Sequence, residues 1–265
     1  MQPVFQRYAH IAVFVVCELI AFILIVNFNQ GQREIFFHSS SLLSGSILQK
    51  TGQLKDYMSL QDSNNDLLAD NARLLQEIIN MPRPDYPLPD STVLPYEVFT
   101  ANIINNSISS MRNIITIDRG KNDQIQATQG VLTMEGIVGI TKQVGTKYSS
   151  VVSLLNVNSR VSASIEGEDF FGTVSWTGGS YDELTLSGIP IHATIEIGQQ
   201  VVTNGYSTIF PKGLRIGQVT SFERSKDGAF YTIKLKPAVD FTQIHYVYII
   251  KDNIAAELSS LQNNE

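Results

Sequence analysis

The stretch from Ile11 to Val26, IAVFVVCELIAFILIV, constrains this chain most: only Cys17 and Glu18 interrupt its apolar side chains. Extended to the flanking aromatics Tyr8 and Phe28 it is 21 residues long. At about 1.5 Å rise per residue, such a helix covers the roughly 30 Å of a bilayer's hydrocarbon core. A cleaved signal peptide would need small residues in an A-x-A-like pattern after the apolar run, and residues 26–30, VNFNQ, offer none. A buried core helix would have to pack at one end of a chain whose next residues are polar and unpatterned. The run therefore predicts an uncleaved single-pass anchor over 11–28. Arg7 and the terminal amine precede the span, Arg33 is the first basic residue after it, and only ten residues lie on the N-terminal side, so residues 1–10 are expected in the cytoplasm and nearly all the mass across the membrane. Glu18 falls near the middle of the span. An ionised carboxylate there costs several kcal/mol, so Glu18 is expected either protonated and tolerated or facing a polar group of a membrane partner.

Composition narrows the chemistry of the rest. A formal charge of −6 without any Lys/Arg cluster argues against nucleic acid. Cys17 is the single cysteine and sits in the apolar run, so the remainder has neither disulfides nor thiolate metal sites. His10, His38, His192 and His245 are scattered, with no i, i+4 pair, and give no metal site.

Residues 35–80 lack proline, and their clearest pattern is Leu60, Asn64, Leu67, Asn71, Leu74, Ile78. The spacings 4, 3, 4, 3, 4 are the a/d alternation of a left-handed coiled coil. The same register upstream (Leu43, Ser46, Lys50, Gln53, Tyr57) is poor. Two seam asparagines weaken a zipper while fixing register and oligomer number. The helix is expected to self-associate, the alternative being an amphipathic helix lying on its own domain. It stops at a linker over 81–96, where Pro82, Pro84, Pro87, Pro89 and Pro95 exclude helix.

From 97 to 252 the period becomes that of strands. Eleven short β-branched segments follow one another: 99–104, 113–118, 137–144, 151–155, 160–165, 171–176, 183–186, 200–203, 214–223, 229–236 and 246–250. Turn-forming residues separate most of them, and Ser225–Gly228 suits a hairpin loop. The expected fold is mainly β: a transmembrane helix, a coiled-coil helix, then two small β-barrel-like subdomains. The segment TMEGIVGIT at 133–141 is loosely echoed by FPKGLRIGQVT at 210–220, each with a glycine inside a strand. Duplication and chance recurrence of glycine turns both account for that echo. Residues 253–265 are polar and expected to be a frayed tail.

No reactive constellation emerges. His192 and His245 accompany no nucleophile elbow, the acids Glu166, Glu168 and Asp169 surround a turn glycine, and Asp182 and Glu183 follow Gly178-Gly179. No phosphate loop or dinucleotide fingerprint is present. With no catalytic residue, metal or cofactor in view, an anchor, a rod and a β head describe a scaffold or adaptor that acts through its surfaces.

The block EIGQQVVTNG at 196–205, followed by IFPKGLRIGQV at 209–219, resembles the signature of the MreC family of bacterial cell-shape proteins. Gly198, Val201, Val202, Thr203, Gly205, Phe210, Pro211, Gly213, Gly217 and Val219 match its pattern. Gln199 stands for the usual Asp, Asn204 for Ser and Ile216 for Val. GIVG at 136–139 and LNVNSRV at 155–161 are also similar, as is the order of anchor, coiled coil and β domains. The resemblance implies a non-enzymatic inner-membrane scaffold of the elongation machinery with its bulk in the periplasm. It implies homodimers and possible filaments, and as partners MreD, MreB and a class B penicillin-binding transpeptidase whose peptidoglycan synthesis it organises. Gly198, Thr203, Gly205, Phe210, Pro211, Gly213 and Gly217 would form either a backbone-determined turn or a partner surface, and Glu18 would be a membrane-partner contact. The runner-up is a periplasmic adaptor of an export system, a class that usually carries a two-helix hairpin between its β segments.

Overall fold

The computed structural model describes residues 3–28, 59–81, 95–168, 170–207, 209–225 and 228–253. The chain divides into two compact units, Met1–Asp66 and Leu67–Glu265. In the first, α1 spans Pro3–Phe28, and its described side chains are those of residues 10–21, 23 and 24. Ile11, Phe14, Leu19 and Leu24 are half or more exposed. Among the described residues no helix is long and apolar enough to cross a membrane. A second helix, α2, covers residues 59–79 and continues into the second unit. Most of the early stem, the linker and residues 254–265 lie outside the described residues.

The β region forms two closed six-stranded barrels. The first contains β1 (Tyr96–Asn106), β2 (Arg112–Ile117), β3 (Gly130–Leu132), β4 (Ile137–Val144), β5 (Ser149–Asn156) and β12 (Tyr246–Asp252). Around it the order is β1-β12-β3-β4-β5-β2. The second comprises β6 (Val161–Ile165), β7 (Phe171–Ser175), β8 (Leu184–Pro190), β9 (Gln200–Thr203), β10 (Arg215–Arg224) and β11 (Phe230–Pro237), ordered β10-β11-β8-β7-β6-β9. All twelve pairings are antiparallel.

The barrels are nested in sequence. The second is inserted between β5 and β12 of the first, so the first barrel closes only when the chain returns at Tyr246. An export adaptor would place helices in such an insertion; here a barrel occupies it. Period-two burial is cleanest in β6, whose Val161, Ala163 and Ile165 point inward. The eleven expected segments all fall on strands, and β3 is the one added: three residues are too few to display an alternation. Both glycines of the internal echo are points of close approach at irregular pairings. The β3–β4 register shifts beside Gly139 and the β9–β10 register beside Gly217; a Cβ on Gly139 would lie 2.2 Å from Val152 O, and one on Gly217 2.4 Å from Lys236 O. The β10–β11 hairpin closes at Ser225–Gly228 as expected, with Gly228 N–H donating to Ser225 O at 2.9 Å.

The barrels share one hydrophobic core. Gly130 on β3 makes the approach possible, since a Cβ there would meet Ile209 O and the Phe210 ring at 2.6 Å.

Candidate interaction surfaces

α2 presents two neighbouring faces. Ala72, Leu75 and Ile79 are buried against Leu132, Tyr248 and Ile250 of the first barrel. The seam proposed from sequence lies one residue earlier at each step, about 100° around the helix. Its apolar members are not covered: Leu60 is 68% exposed, Leu67 63%, Leu74 45% and Ile78 50%. Asn64 is exposed and Asn71 half-buried. The helix therefore lies on its own domain, as the alternative reading had it, and still leaves the heptad stripe open.

Two amides fasten the docked face. β1 pairs with β12 over Tyr96–Asn102 but with β2 only over Ile103–Asn106. The other edge of its first residues takes side chains of α2 in place of a strand. Asn80 bonds both backbone groups of Tyr96, and Gln76 Oε1 accepts from Val98 N–H at 3.0 Å. Beneath the helix, the Tyr248 hydroxyl is buried without a partner of hydrogen-bonding geometry. Burial, then the neighbouring Tyr246, raise its pKa above the ordinary tyrosine value, and the Asn71 amide opposes the rise only in part.

Thr203, Gly205 and Phe210 come together beside Ile140 of β4 at the barrel joint, while Gly198 and Gly217 lie within the second barrel. Thr203, buried at the end of β9, donates from Oγ1 to Pro211 O (2.5 Å) and accepts there from Leu214 N–H (2.9 Å), pinning the loop between. Gly205 and Gly213 have φ of +77° and +93°, where side chains are strained. Phe210 and Pro211 are buried, and Gly217 lies against β11. Gly198 opens the turn into β9 at φ +95°, and its carbonyl accepts from Gln218 Nε2. Gln199, in place of the carboxylate, still closes that turn: its Oε1 accepts from Glu196 N–H at 2.8 Å. In these placements the motif residues make turns, hydrogen bonds and packing contacts.

Elsewhere the polar candidates are engaged locally. His192 packs edge-on to Phe170, Asp182 bonds Ser180, and Glu183 pairs with Lys234 at 2.7 Å. Among the described residues no group of three His, Cys, Asp or Glu could hold a metal. Glu18 is exposed on α1. An aromatic pair missed in the sequence lies outside the second barrel, where Phe171 and Tyr206 meet edge to face at 5.1 Å, 54% and 75% exposed. Alternation marks Phe171 as outward-facing, but no local signal brings Tyr206 across to it.

Comparison with known proteins gives one consistent family. The pattern described as rod shape-determining protein MreC, barrel core, matches residues 103–251. The cell shape-determining protein MreC of Listeria monocytogenes is 26% identical over 225 residues, covering 82% of this chain and 76% of that protein. Its counterpart in Haemophilus influenzae is 29% identical over 150 residues, 57% of this chain and 42% of that one. The solved Listeria MreC structure superposes with a TM-score of 0.57 over 84% of this chain and 95% of its own. The complex between penicillin-binding protein PBP2 and MreC from Helicobacter pylori contains a chain of similar fold, at TM-score 0.50 and 18% identity, over 60% of this chain and 99% of that one.

Proposed function

The chain belongs to the MreC family of rod shape-determining proteins, and we propose on that footing that it is a non-enzymatic scaffold of bacterial cell elongation. It is anchored in the inner membrane by the apolar run of residues 11–28, with its barrels in the periplasm. It self-associates through α2, organises a class B penicillin-binding transpeptidase, and works with MreD and MreB. Glu18 is its polar contact to a membrane partner; unchanged association of a Glu18→Leu chain with MreD would remove that role.

One observation carries the scaffold reading: α2 keeps Leu60, Leu67, Leu74 and Ile78 exposed while an adjacent face is spent on the barrel. An apolar stripe at heptad spacing on an already docked helix is a surface for a second helix. Assembly beyond a dimer, into filaments, would extend the same scaffold. The Phe171–Tyr206 pair is the surface we assign to the transpeptidase, because exposed aromatic anchors dominate protein interfaces and a family member of like fold is seen in complex with PBP2.

Sedimentation and light scattering on residues 35–265, beside the same piece carrying Leu67→Ser, Leu74→Ser and Ile78→Ser, test self-association. A dimer or larger for the first and a folded monomer for the second is expected. Equal masses would overturn it. Substitution is a cleaner test than deletion to Pro95, which would also uncover Leu132, Tyr248 and Ile250.

A further inference from the structure

In the second barrel β10 outruns one of its neighbours. It pairs with β9 only over residues 215–218, and the last backbone bonds on that side join Val219 to Gly198 and Gln199. On the other side β11 accompanies it as far as Arg224. Residues 220–224 are all exposed, and among the described residues no strand pairs with their far edge. The hairpin end fixes which groups face outward. Ser225 N–H donates to Phe230 O at 2.8 Å, so Ser225 is bonded to the β11 side. By the alternation of an antiparallel ladder Glu223 is bonded there too, while Phe222 and Arg224 turn their N–H and C=O groups to the open side. Phe222 stands opposite Ile233, Glu223 opposite Thr232 and Arg224 opposite Tyr231. The Phe222 and Tyr231 rings meet edge to face at 5.5 Å and form an apolar shoulder. Lys234, on the same face of β11 as Thr232, is already held by Glu183, and among the described residues neither Glu223 nor Arg224 has an ion-pair partner.

We propose that this edge of β10 accepts an extended peptide segment of another protein by antiparallel strand addition, selected by an acidic–basic–apolar triplet set against Arg224, Glu223 and Phe222. The charges choose the occupant. Two copies of the chain satisfy all the outward groups of both edges only where Phe222 of one lies opposite Arg224 of the other. That register sets Glu223 against Glu223 at the closely spaced, non-hydrogen-bonded position, where like charges repel. A second copy is therefore disfavoured, and a strand with a basic residue at that position is preferred. Side chains directly opposite each other share a face, so the segment's acid meets Arg224 and its apolar residue lies against the Phe222–Tyr231 rings. In chain order the complement is Glu-Lys-Val or its equivalent. The first and third residues exchange both backbone bonds with Arg224 and Phe222, and the N–H of the second faces away. Main-chain bonds supply the affinity and the three side chains the selectivity. The surface is separate from the α2 stripe and depends on neither the self-association nor the transpeptidase reading.

The test uses the full chain in detergent and the capped peptide Thr-Glu-Lys-Val-Thr, with binding followed by fluorescence anisotropy and by hydrogen exchange. Millimolar peptide is expected to protect the Phe222 and Arg224 amides. Replacing its Lys by Glu should weaken binding about tenfold, since an opposite-charge cross-strand pair becomes a like-charge one. N-methylation at the peptide's Glu or Val should abolish binding, because those N–H groups donate to the edge, whereas N-methylation at its Lys should leave binding intact. A Glu223→Lys chain should reverse the preference and take the Glu-Glu-Val peptide more tightly. The N-methyl series needs no substitution in the protein, so it decides the matter even if that chain fails to fold. No binding at millimolar peptide, equal binding of all the N-methyl forms, or protection at strands other than β10 would each overturn the proposal.

Discussion

Asn80 takes both backbone groups of Tyr96: its Nδ2 donates to the Tyr96 carbonyl at 2.8 Å and its Oδ1 accepts from Tyr96 N–H at 3.0 Å. A side-chain amide thus does for the first residue of β1 what a neighbouring strand does elsewhere in the barrel. With Gln76 on Val98 N–H, it fixes α2 on the barrel through the edge the strands leave open. Asn80→Ala strands a donor and an acceptor at a part-buried site, a loss of about 1–3 kcal/mol. Hydrogen exchange should show the Tyr96 amide losing protection in Asn80→Ala, and the Val98 amide in Gln76→Ala. Retained protection in both would mean that apolar packing alone docks the helix.

The barrel joint predicts a different kind of failure. Gly130 faces Ile209 O and the Phe210 ring where a Cβ would be 2.6 Å away, and neither a backbone oxygen nor a buried ring can yield cheaply. Gly130→Val should destabilise by about 1–3 kcal/mol through overpacking, and Phe210→Ala by about 3–5 kcal/mol through the cavity it leaves. Urea unfolding of residues 35–265 measures both. A wild-type midpoint for Gly130→Val would show that the barrels part without cost.

Much of this was legible in the sequence because it is local. Period-two alternation located eleven strands, the proline cluster placed a boundary before the β region, and the family resemblance marked Gly198, Gly205 and Gly213 as either a backbone-determined turn or a partner surface. What was not legible is relational. Nothing local says that β12 returns to pair with β1 after a whole barrel has intervened, 140 or more residues later. Nor does a heptad count reveal that Ala72, Leu75 and Ile79 form a second stripe, because their partners, Leu132, Tyr248 and Ile250, come from distant strands. The motif block stands out as a signature in the sequence without its reason: Thr203 pins the loop and Phe210 packs against Gly130 at the joint.

The substitution at position 199 can be tested directly. Gln199 closes its turn with a neutral carbonyl oxygen on Glu196 N–H. Gln199→Asp keeps an acceptor of shorter reach and should leave stability within about 0.5 kcal/mol, as exposed changes usually do. Gln199→Leu removes the acceptor and should cost about 0.5–1.5 kcal/mol, the net worth of an ordinary hydrogen bond. Equal melting temperatures for all three chains would deny the turn role.

Tyr248 makes a pH prediction. Its folded pKa is raised, chiefly by burial, so the folded state holds the phenol proton more tightly than the unfolded chain does. The associated stability is complete below the unfolded value of about 10 and is lost as pH rises through the folded one. Tyr248→Phe also removes a buried hydroxyl that lacks a bond. It should therefore match or exceed the parent's stability at pH 7 and lose less between pH 9 and pH 11. A parallel decline in both chains would show that Tyr248 is not the titrating group.

The two faces of α2 should separate association from folding. Leu74 and Ile78 are about half exposed, so Leu74→Ser/Ile78→Ser removes little buried apolar surface and should leave the urea midpoint nearly unchanged while weakening self-association. Leu75 and Ile79 are each 7% exposed against the barrel. Leu75→Ala or Ile79→Ala should instead cost about 2–5 kcal/mol of docking and free the helix from the first barrel. Exposed β1 edge groups and an uncovered Leu132 would then invite nonspecific association, so mass alone cannot distinguish the faces. The decisive pair of measurements is sedimentation together with hydrogen exchange at Tyr96 and Val98. The seam variant should lose mass and keep amide protection, whereas the docked-face variant should lose protection. If the seam variant loses protection as well, the helix has one functional face and its heptad pattern serves only to hold it on the barrel.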